Sequence, residues 1–181
     1  MITILQKGAS ILREVAHEVP LNDIRTPAIE KIVVRMKEAA IQEEDAVAIA
    51  APQIGEQLRI FVVSGRALDK DPEKAKNKKT GVKTEDLVFI NPEIVKRSRQ
   101  KKVLQEGCLS VRWFYGEVKR HDKVTIRAYD EKGNKVVRGA SGLLAQIFQH
   151  ETDHLNGILF IDTAHNLKEI PPEKHPKPTV H

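Results

Sequence analysis

Residues 147–160 read IFQHETDHLNGILF, with His150 and His154 four positions apart. On an α-helix this spacing places both imidazoles on one face, one turn from each other, where they can bind a common metal ion. Glu151 follows about 100 degrees further round the helix, close enough to reach a water on the metal without being a ligand. The stretch therefore predicts a metal-binding helix.

The helix that carries these residues is apolar on more than one side. Leu143 and Ile147 share the face of the two histidines, and Leu144 and Phe148 fill the next face. A helix covered in this way is usually buried inside a domain. Because buried polar groups need partners, the alternative of ordinary polar residues on an exposed helix fits poorly.

The rest of the chain predicts one further helix and several antiparallel strands. TPAIEKIVVRMKEAAIQEED (26–45) has Pro27 in its first turn and apolar residues at helical spacing. LRIFVV (58–63) and DLVFINP (86–92) have the composition of buried strands, and KVTIRAYDEKGNKVV (123–137) that of a hairpin. We predict an α+β fold, a single compact domain with mainly antiparallel strands packed around the central metal-binding helix.

A catalytic metal site needs a third protein ligand. The extended protease motif HExxHxxGxxH fails here, because Phe160 stands where its third histidine would be. Glu169 and Glu173 are available, but they lie in a Pro- and Lys-rich segment without helical pattern. Cys108, in QEGCLSV, is the remaining soft ligand upstream, and a thiolate with two imidazoles leaves the fourth tetrahedral position to water.

The composition limits the cellular locations and the binding partners that can be expected for this protein. The chain has 181 residues, a formal net charge of +5 and a single cysteine, so no internal disulfide forms and a cytoplasmic location is expected. No stretch approaches the roughly 20 apolar residues of a membrane span, and we read no secretion signal. The basic run KRSRQKK (96–102) is either a solvated turn or a contact with the ribosome surface. Nothing indicates a DNA-binding protein.

Three segments together resemble the motifs of the peptide deformylase family, in the right order and spacing. They are AVAIAAPQ (46–53), EGCLS (106–110) and QHETDHLNG (149–157), and the resemblance covers roughly residues 4–162. It implies a deformylase-like catalytic domain over residues 1–165. The remaining residues, 166–181, are rich in proline and are expected to form a disordered tail.

The resemblance implies hydrolysis of the N-formyl group from the N-terminal methionine of newly made polypeptides, with release of formate. It makes Cys108, His150 and His154 the ligands of one divalent ion, expected to be Fe(II), with Zn(II) or Ni(II) as alternatives. Glu151 is then the general acid/base. Gln53 and the N–H of Leu109 are the oxyanion donors that the resemblance implies. Glu106 and Arg120 match a charged pair that braces the second motif. The substrate pocket, which takes the methionine side chain, is formed by Val47, Ala48, Leu104, Leu143 and Ile147.

Two departures from the family pattern stand out. Ala46 and Ala48 occupy positions where the family usually has glycine, so we expect strain if either residue has a positive φ, or crowding of the substrate. Gln146 is a polar residue on the metal helix with no predicted role.

Two alternative functions remain open at this level. One is an HExxH-type metallopeptidase with another third ligand, and the other is a non-catalytic binding module stapled by its metal. Glu151 argues against the second, because a structural metal site has no use for a general base.

Overall fold

The computed structural model describes residues 2–43, 45–69 and 84–171. Three α-helices lie in these ranges: α1 (Pro27–Gln42), the short α2 (Gly65–Asp69) and α3 (Gly142–His154). Proline at the first position of α1 suits the fixed φ of its ring and its missing N–H. The longest of the three, α1, has 16 residues, and no helix among the described residues has the length and apolar character of a membrane-spanning segment.

The described residues contain eight strands, which pair antiparallel. In chain order they are β1 (Ala48–Ala50), β2 (Ile60–Val63), β3 (Leu87–Arg97), β4 (Lys101–Cys108), β5 (Val111–His121), β6 (Lys123–Tyr129), β7 (Lys135–Ser141) and β8 (His165–Glu169). One sheet has the order β1-β2-β3-β6-β7, and the second has the order β4-β5-β8.

Helix α3 packs against the five-stranded sheet. The ring of Phe148 contacts Phe61 of β2 and Phe89 of β3, with centroid distances of 6.1 and 5.0 Å. Leu144 and Leu155 belong to the same buried cluster. Each fully buried side chain of this size contributes about 1.5–3 kcal/mol. This packing fixes one side of α3 in the core and leaves its other side to the site described below.

The structure confirms the predicted fold class and the elements on which it was based. Helix α1 falls within residues 26–45, with Ile29, Val33 and Met36 buried. The hairpin of β6 and β7 pairs Tyr129 with Lys135 around the predicted turn. Strands β4 and β5 were not predicted, because their side chains are mixed in polarity and exposure.

The predicted disordered tail begins too early. Residues 165–169 form β8, which pairs with β5 through Phe114↔Glu169 and Tyr115↔Lys168. All five side chains of β8 are exposed. Main-chain pairing and a hydrogen bond from the Asn166 side chain to Glu117 hold this segment, and no hydrophobic pattern could reveal it. Residues 172–181 of the predicted tail lie outside the described residues.

Gly157 ends the turn after α3 and provides a test of the local packing. It has φ +72°, and a Cβ placed there would lie 2.6 Å from the carbonyl oxygen of Arg13. Gly157→Ala should therefore lower the free energy of unfolding by more than the ~1–2 kcal/mol typical of a left-handed alanine. Urea unfolding followed by circular dichroism measures the loss.

Two other glycines separate the causes. Gly142 has φ +56° with nothing within 4 Å of the added atom, and Gly139 has open space and no positive φ. Gly142→Ala should show the conformational cost alone, and Gly139→Ala little cost. If Gly157→Ala were no more destabilising than Gly142→Ala, the close approach to Arg13 would be unimportant.

Candidate metal centre and active site

Cys108, His150 and His154 lie together although the cysteine and the first histidine are 42 positions apart in the sequence. Their ligand atoms are all within 4.8 Å of one another, and Cys108 Sγ is 3.1 Å from His154 Nε2. Metal–ligand bonds to sulfur and imidazole nitrogen are about 2.0–2.3 Å long, so ligand atoms this close can share one ion. One thiolate and two imidazoles suit zinc, iron and nickel alike. The residues present therefore fit a divalent metal.

The turn between β4 and β5 holds the cysteine in place. The N–H of Ser110 donates to Cys108 Sγ at 3.4 Å, and the amide of Gln53 donates to it at 3.6 Å. A Cβ at Gly107 would lie 2.7 Å from the ring of Tyr115. Glycine at this position thus lets Tyr115 pack directly against the strand that presents the ligand.

The environment of Cys108 favours the thiolate, which is the form that binds metals. Burial raises the pKa of the thiol, but the charge of His154 and a hydrogen bond with His150 outweigh it, so the pKa falls well below its usual value. The sulfur is thus poised to bind a cation.

Glu106 orients His150 from behind. Its Oε2 lies 2.9 Å from His150 Nδ1, and it also receives two hydrogen bonds from Arg120, at 2.8 and 2.9 Å. Burial raises the pKa of Glu106, but the bonds from Arg120 and His150 prevail and hold it at about 2. A carboxylate on one ring nitrogen leaves Nε2 of His150 for the metal. The expected bracing pair is therefore present, and it also contacts a ligand.

Glu151 is buried beside the two histidines and lacks a full set of partners. Its side chain is 4% exposed, and Oε2 has no hydrogen-bond partner among the described residues. Burial raises the pKa of this carboxyl above its usual value, although the charges of His150 and His154 act in the opposite direction. An unpaired buried carboxylate is costly, which points to a partner supplied during function.

Gln53 faces the same group. The N–H of Ala50 donates to Gln53 Oε1 at 2.8 Å, which fixes the side-chain amide. Its nitrogen lies 3.0 Å from Ser110 Oγ and points toward Cys108. Leu109, directly after the cysteine, is buried and lines the cavity next to the ligands.

A cavity of about 380 Å³ opens beside Cys108, His150 and Glu151. Its volume is in the range of small-molecule binding sites. Four of the five residues predicted for the methionine pocket line it, namely Val47, Ala48, Leu143 and Ile147. Leu104 does not line it: this residue pairs with Val118 on the sheet, two residues before Glu106 on β4 and further from Cys108.

Sequence reasoning missed much of the cavity wall. Arg112, Trp113, Phe114 and Tyr115 line it from β5. The aromatic run WFY is the signal that could have revealed them, because large rings commonly line binding sites. Gln146 also lines the cavity, and its side chain donates to the carbonyl of Gln105 at 2.8 Å, so it links α3 to β4.

The expected strain at Ala46 and Ala48 is absent. Neither residue has a positive φ, and Ala48 is part of the extended strand β1. Both line the cavity. Their methyl groups can therefore act on a substrate only by occupying space.

A structural metal site is usually closed by four protein ligands, whereas catalytic sites keep a position for water or substrate. Cys108 and His150 line a cavity, with His154 buried behind them and a buried glutamate alongside, and this arrangement is that of a metal-dependent hydrolase.

Comparison with known proteins agrees with this class. The family model described as polypeptide deformylase matches residues 1–169. The peptide deformylase of Desulforudis audaxviator is 40% identical over 161 residues, covering 89% of this chain and 92% of that protein. That of Carboxydothermus hydrogenoformans is 39% identical, covering 91% and 93%.

A solved structure is also similar. The Met-Ala-Ser-bound class I type b peptide deformylase from Acinetobacter baumannii has a TM-score of 0.78 and 30% sequence identity, covering 90% of this chain and 98% of that one. The chain belongs to the polypeptide deformylase family. It is a hydrolase of the kind that removes the N-formyl group from newly made polypeptides.

The contact between Glu106 and His150 gives a prediction. Glu106→Gln should weaken metal binding by about 10- to 100-fold, because the ligand loses its charged hydrogen-bond partner. It should also lower stability by roughly 3 kcal/mol, because Arg120 remains buried without its main counter-charge. Competition for Zn²⁺ with a chromophoric chelator measures the affinity.

Asp153→Asn is the matched control. Asp153 also pairs with Arg120, at 2.5 Å, and is predicted to affect His150 only through Arg120. Its effect on zinc affinity should be several-fold smaller. Equal losses in the two variants would mean that Glu106 acts on the fold and not on the ligand.

Proposed function

We propose that this protein removes the formyl group by metal-assisted hydrolysis in the cavity beside Cys108, His150 and His154. The observation that carries this is the meeting of those three side chains next to the carboxylate of Glu151, whose Oε2 has no hydrogen-bond partner among the described residues. A divalent ion held there would polarise the formyl carbonyl and lower the pKa of the attacking water. The protein groups supply the proton transfers and hold the substrate.

Glu151 is the general base and then the general acid. Its carboxylate takes a proton from the attacking water and delivers it to the nitrogen of the leaving amine. Burial raises its pKa, so the carboxyl group is better able to hold the proton between the two steps. Because Oε2 has no partner among the described residues, it is available for this task.

Gln53 and the N–H of Leu109 stabilise the charge that develops on the carbonyl oxygen. The Gln53 amide is fixed by Ala50 and presents its nitrogen toward Cys108. Donors placed in this way contribute about 3–4 kcal/mol to transition states of acyl transfer. The Leu109 main chain follows the ligand directly and lines the same cavity.

The methionine side chain occupies the apolar wall that Val47, Leu143 and Ile147 form. Val47 comes from the segment before β1, and the other two residues come from α3. Ile147 lies one helical turn before Glu151 on that helix. The similar Acinetobacter baumannii enzyme was solved with Met-Ala-Ser bound, which supports a site for a short peptide with an N-terminal methionine.

Glu151→Gln tests the mechanism. The variant should retain the fold and the metal, while formate release from formyl-Met-Ala-Ser falls by about 10²–10⁴-fold, the usual contribution of a general acid/base. Stability should be equal to or above that of the unchanged protein, since a buried carboxyl group that burial disfavours in its charged form is replaced by a neutral amide. A variant with near-normal turnover would refute the assigned role.

We propose ferrous iron as the native metal, with zinc and nickel as substitutes. The support is the family membership together with a donor set that suits all three ions. Protein loaded without oxygen should release formate fastest with iron. Peroxide should inactivate the iron form and oxidise Cys108, as mass spectrometry can show, faster than in the zinc form. An iron form indifferent to peroxide would contradict either the metal or the cysteine ligand.

We further propose that the protein works in the cytoplasm and contacts the ribosome surface through a basic groove. Nascent chains emerge there, and the groove is lined by Lys96 and Arg97 at the end of β3, Lys123 on β6 and Arg138 on β7. Clustered cations of this kind attract the phosphates of RNA.

Removing two of these charges should weaken ribosome binding and its salt dependence. Lys123→Ala with Arg138→Ala should reduce the slope of log affinity against log salt by roughly 2, about 0.9 per lost phosphate contact. Arg25→Ala with Lys31→Ala removes equal charge near α1 and is the control. Equal effects of the two pairs, measured by co-sedimentation, would indicate attraction by net charge alone.

A further inference from the structure

Strand β5 has a three-residue bulge over the cavity. Gly107 pairs with Tyr115, but Cys108, the next residue of β4, pairs with Val111. Residues 112–114 thus have no opposite residues on β4, and all three line the cavity. Bulges are common next to active sites, where they redirect side chains.

The central residue of the bulge, Trp113, has a backbone conformation that is unusual for its type. Its φ is +69°, in the left-handed region where glycine is relaxed and a bulky residue is strained. Such strain persists where the surrounding structure enforces it and is concentrated at binding and catalytic sites. Since the backbone at this position disfavours tryptophan, we expect the indole side chain to have a role that offsets the strain.

Contacts on both sides hold the bulge in place. Arg112 forms an ion pair with Glu43 at 2.6 Å, and its guanidinium carbon lies 5.8 Å from the centre of the Trp113 ring. The carbonyl of Trp113 accepts a hydrogen bond from the N–H of Ile170 at 2.7 Å. The bulge is therefore anchored to the segment after α1 and to the residue after β8.

The bulge lines a part of the cavity that the methionine side chain does not fill. Under the proposed function, the methionine lies against Val47, Leu143 and Ile147, which come from other elements than the bulge. The cavity of about 380 Å³ is larger than one methionine side chain needs. The part of its wall that the methionine leaves free includes the aromatic residues of β5.

We propose that Trp113 is a specificity-determining residue, whose indole binds an apolar side chain of the second or third residue of the nascent chain. This inference rests on the proposed function. Indole offers a large, rigid apolar surface at little cost in side-chain entropy, which suits a contact that must accept many sequences. Substrates with a large apolar residue after the methionine are accordingly favoured over those with small or acidic ones.

The test compares substrates within each variant. Formyl-Met amide, formyl-Met-Leu-Ser, formyl-Met-Ala-Leu and formyl-Met-Gly-Gly are assayed for formate release by the metal-loaded protein. In the unchanged protein one of the leucine peptides should exceed formyl-Met-Gly-Gly about tenfold in kcat/KM, mainly through KM. Trp113→Ala and Trp113→Gly should remove this preference, and Trp113→Phe should retain part of it.

Stability separates the side chain from the backbone. Trp113→Gly and Trp113→Ala both lose the indole, but only glycine relaxes at positive φ, so the glycine variant should melt at a higher temperature. If the two differ in stability yet lose the preference equally, the indole carries specificity. If the preference survives in both variants, the proposal is wrong.

Turnover of formyl-Met amide separates a failure of the role of Trp113 from a failure of the hydrolysis itself. Formyl-Met amide has no second residue, so its turnover reports the hydrolysis alone. Turnover of formyl-Met amide with no leucine preference in the unchanged protein would overturn the role of Trp113 and leave the hydrolase intact. No formate from any substrate would instead contradict the proposed function.

Discussion

The carboxylate of Glu106 joins the parts of the molecule on which the site depends. It lies on β4, receives two hydrogen bonds from Arg120 of β5, and contacts His150 of α3. One buried charge thus connects the small sheet, which carries Cys108, to the helix that carries both histidines. Its pKa of about 2 keeps it ionised across the physiological range. Without it, His150 would lose its carboxylate partner, and Cys108 would keep its hydrogen bonds from Ser110 and Gln53.

The distribution of buried charge separates the structural from the chemical role of the two glutamates. Glu106 is fully paired and has a lowered pKa, whereas Glu151 is equally buried, incompletely paired and has a raised pKa. The same residue type therefore serves as a fixed support in one place and is suited to exchange protons in the other. Their environments differ because Arg120 pairs with Glu106, and Glu151 faces the cavity.

The sequence predicted the α+β class, helix α1 and the metal helix, because each has a clear periodicity or motif. The meeting of Cys108 with the histidines was predicted from chemistry and family resemblance, since no local pattern sets a contact over 42 residues. The bulge at Trp113 could not be predicted, because the register depends on pairing between strands. A positive φ is usually indicated by glycine or asparagine, and the residue here is tryptophan. Strand β8 was missed because its side chains are all exposed.

The weak attachment of strand β8 affects how the protein would begin to unfold and aggregate. The strand lies at the edge of its sheet, is held to β5 mainly by main-chain bonds and has only exposed side chains, so it should be among the first segments to fray. Its detachment would expose the row of unpaired amides that natural sheets normally cover. Proteolysis near residue 165 would make that exposure permanent, and such a nicked protein should self-associate before its core unfolds.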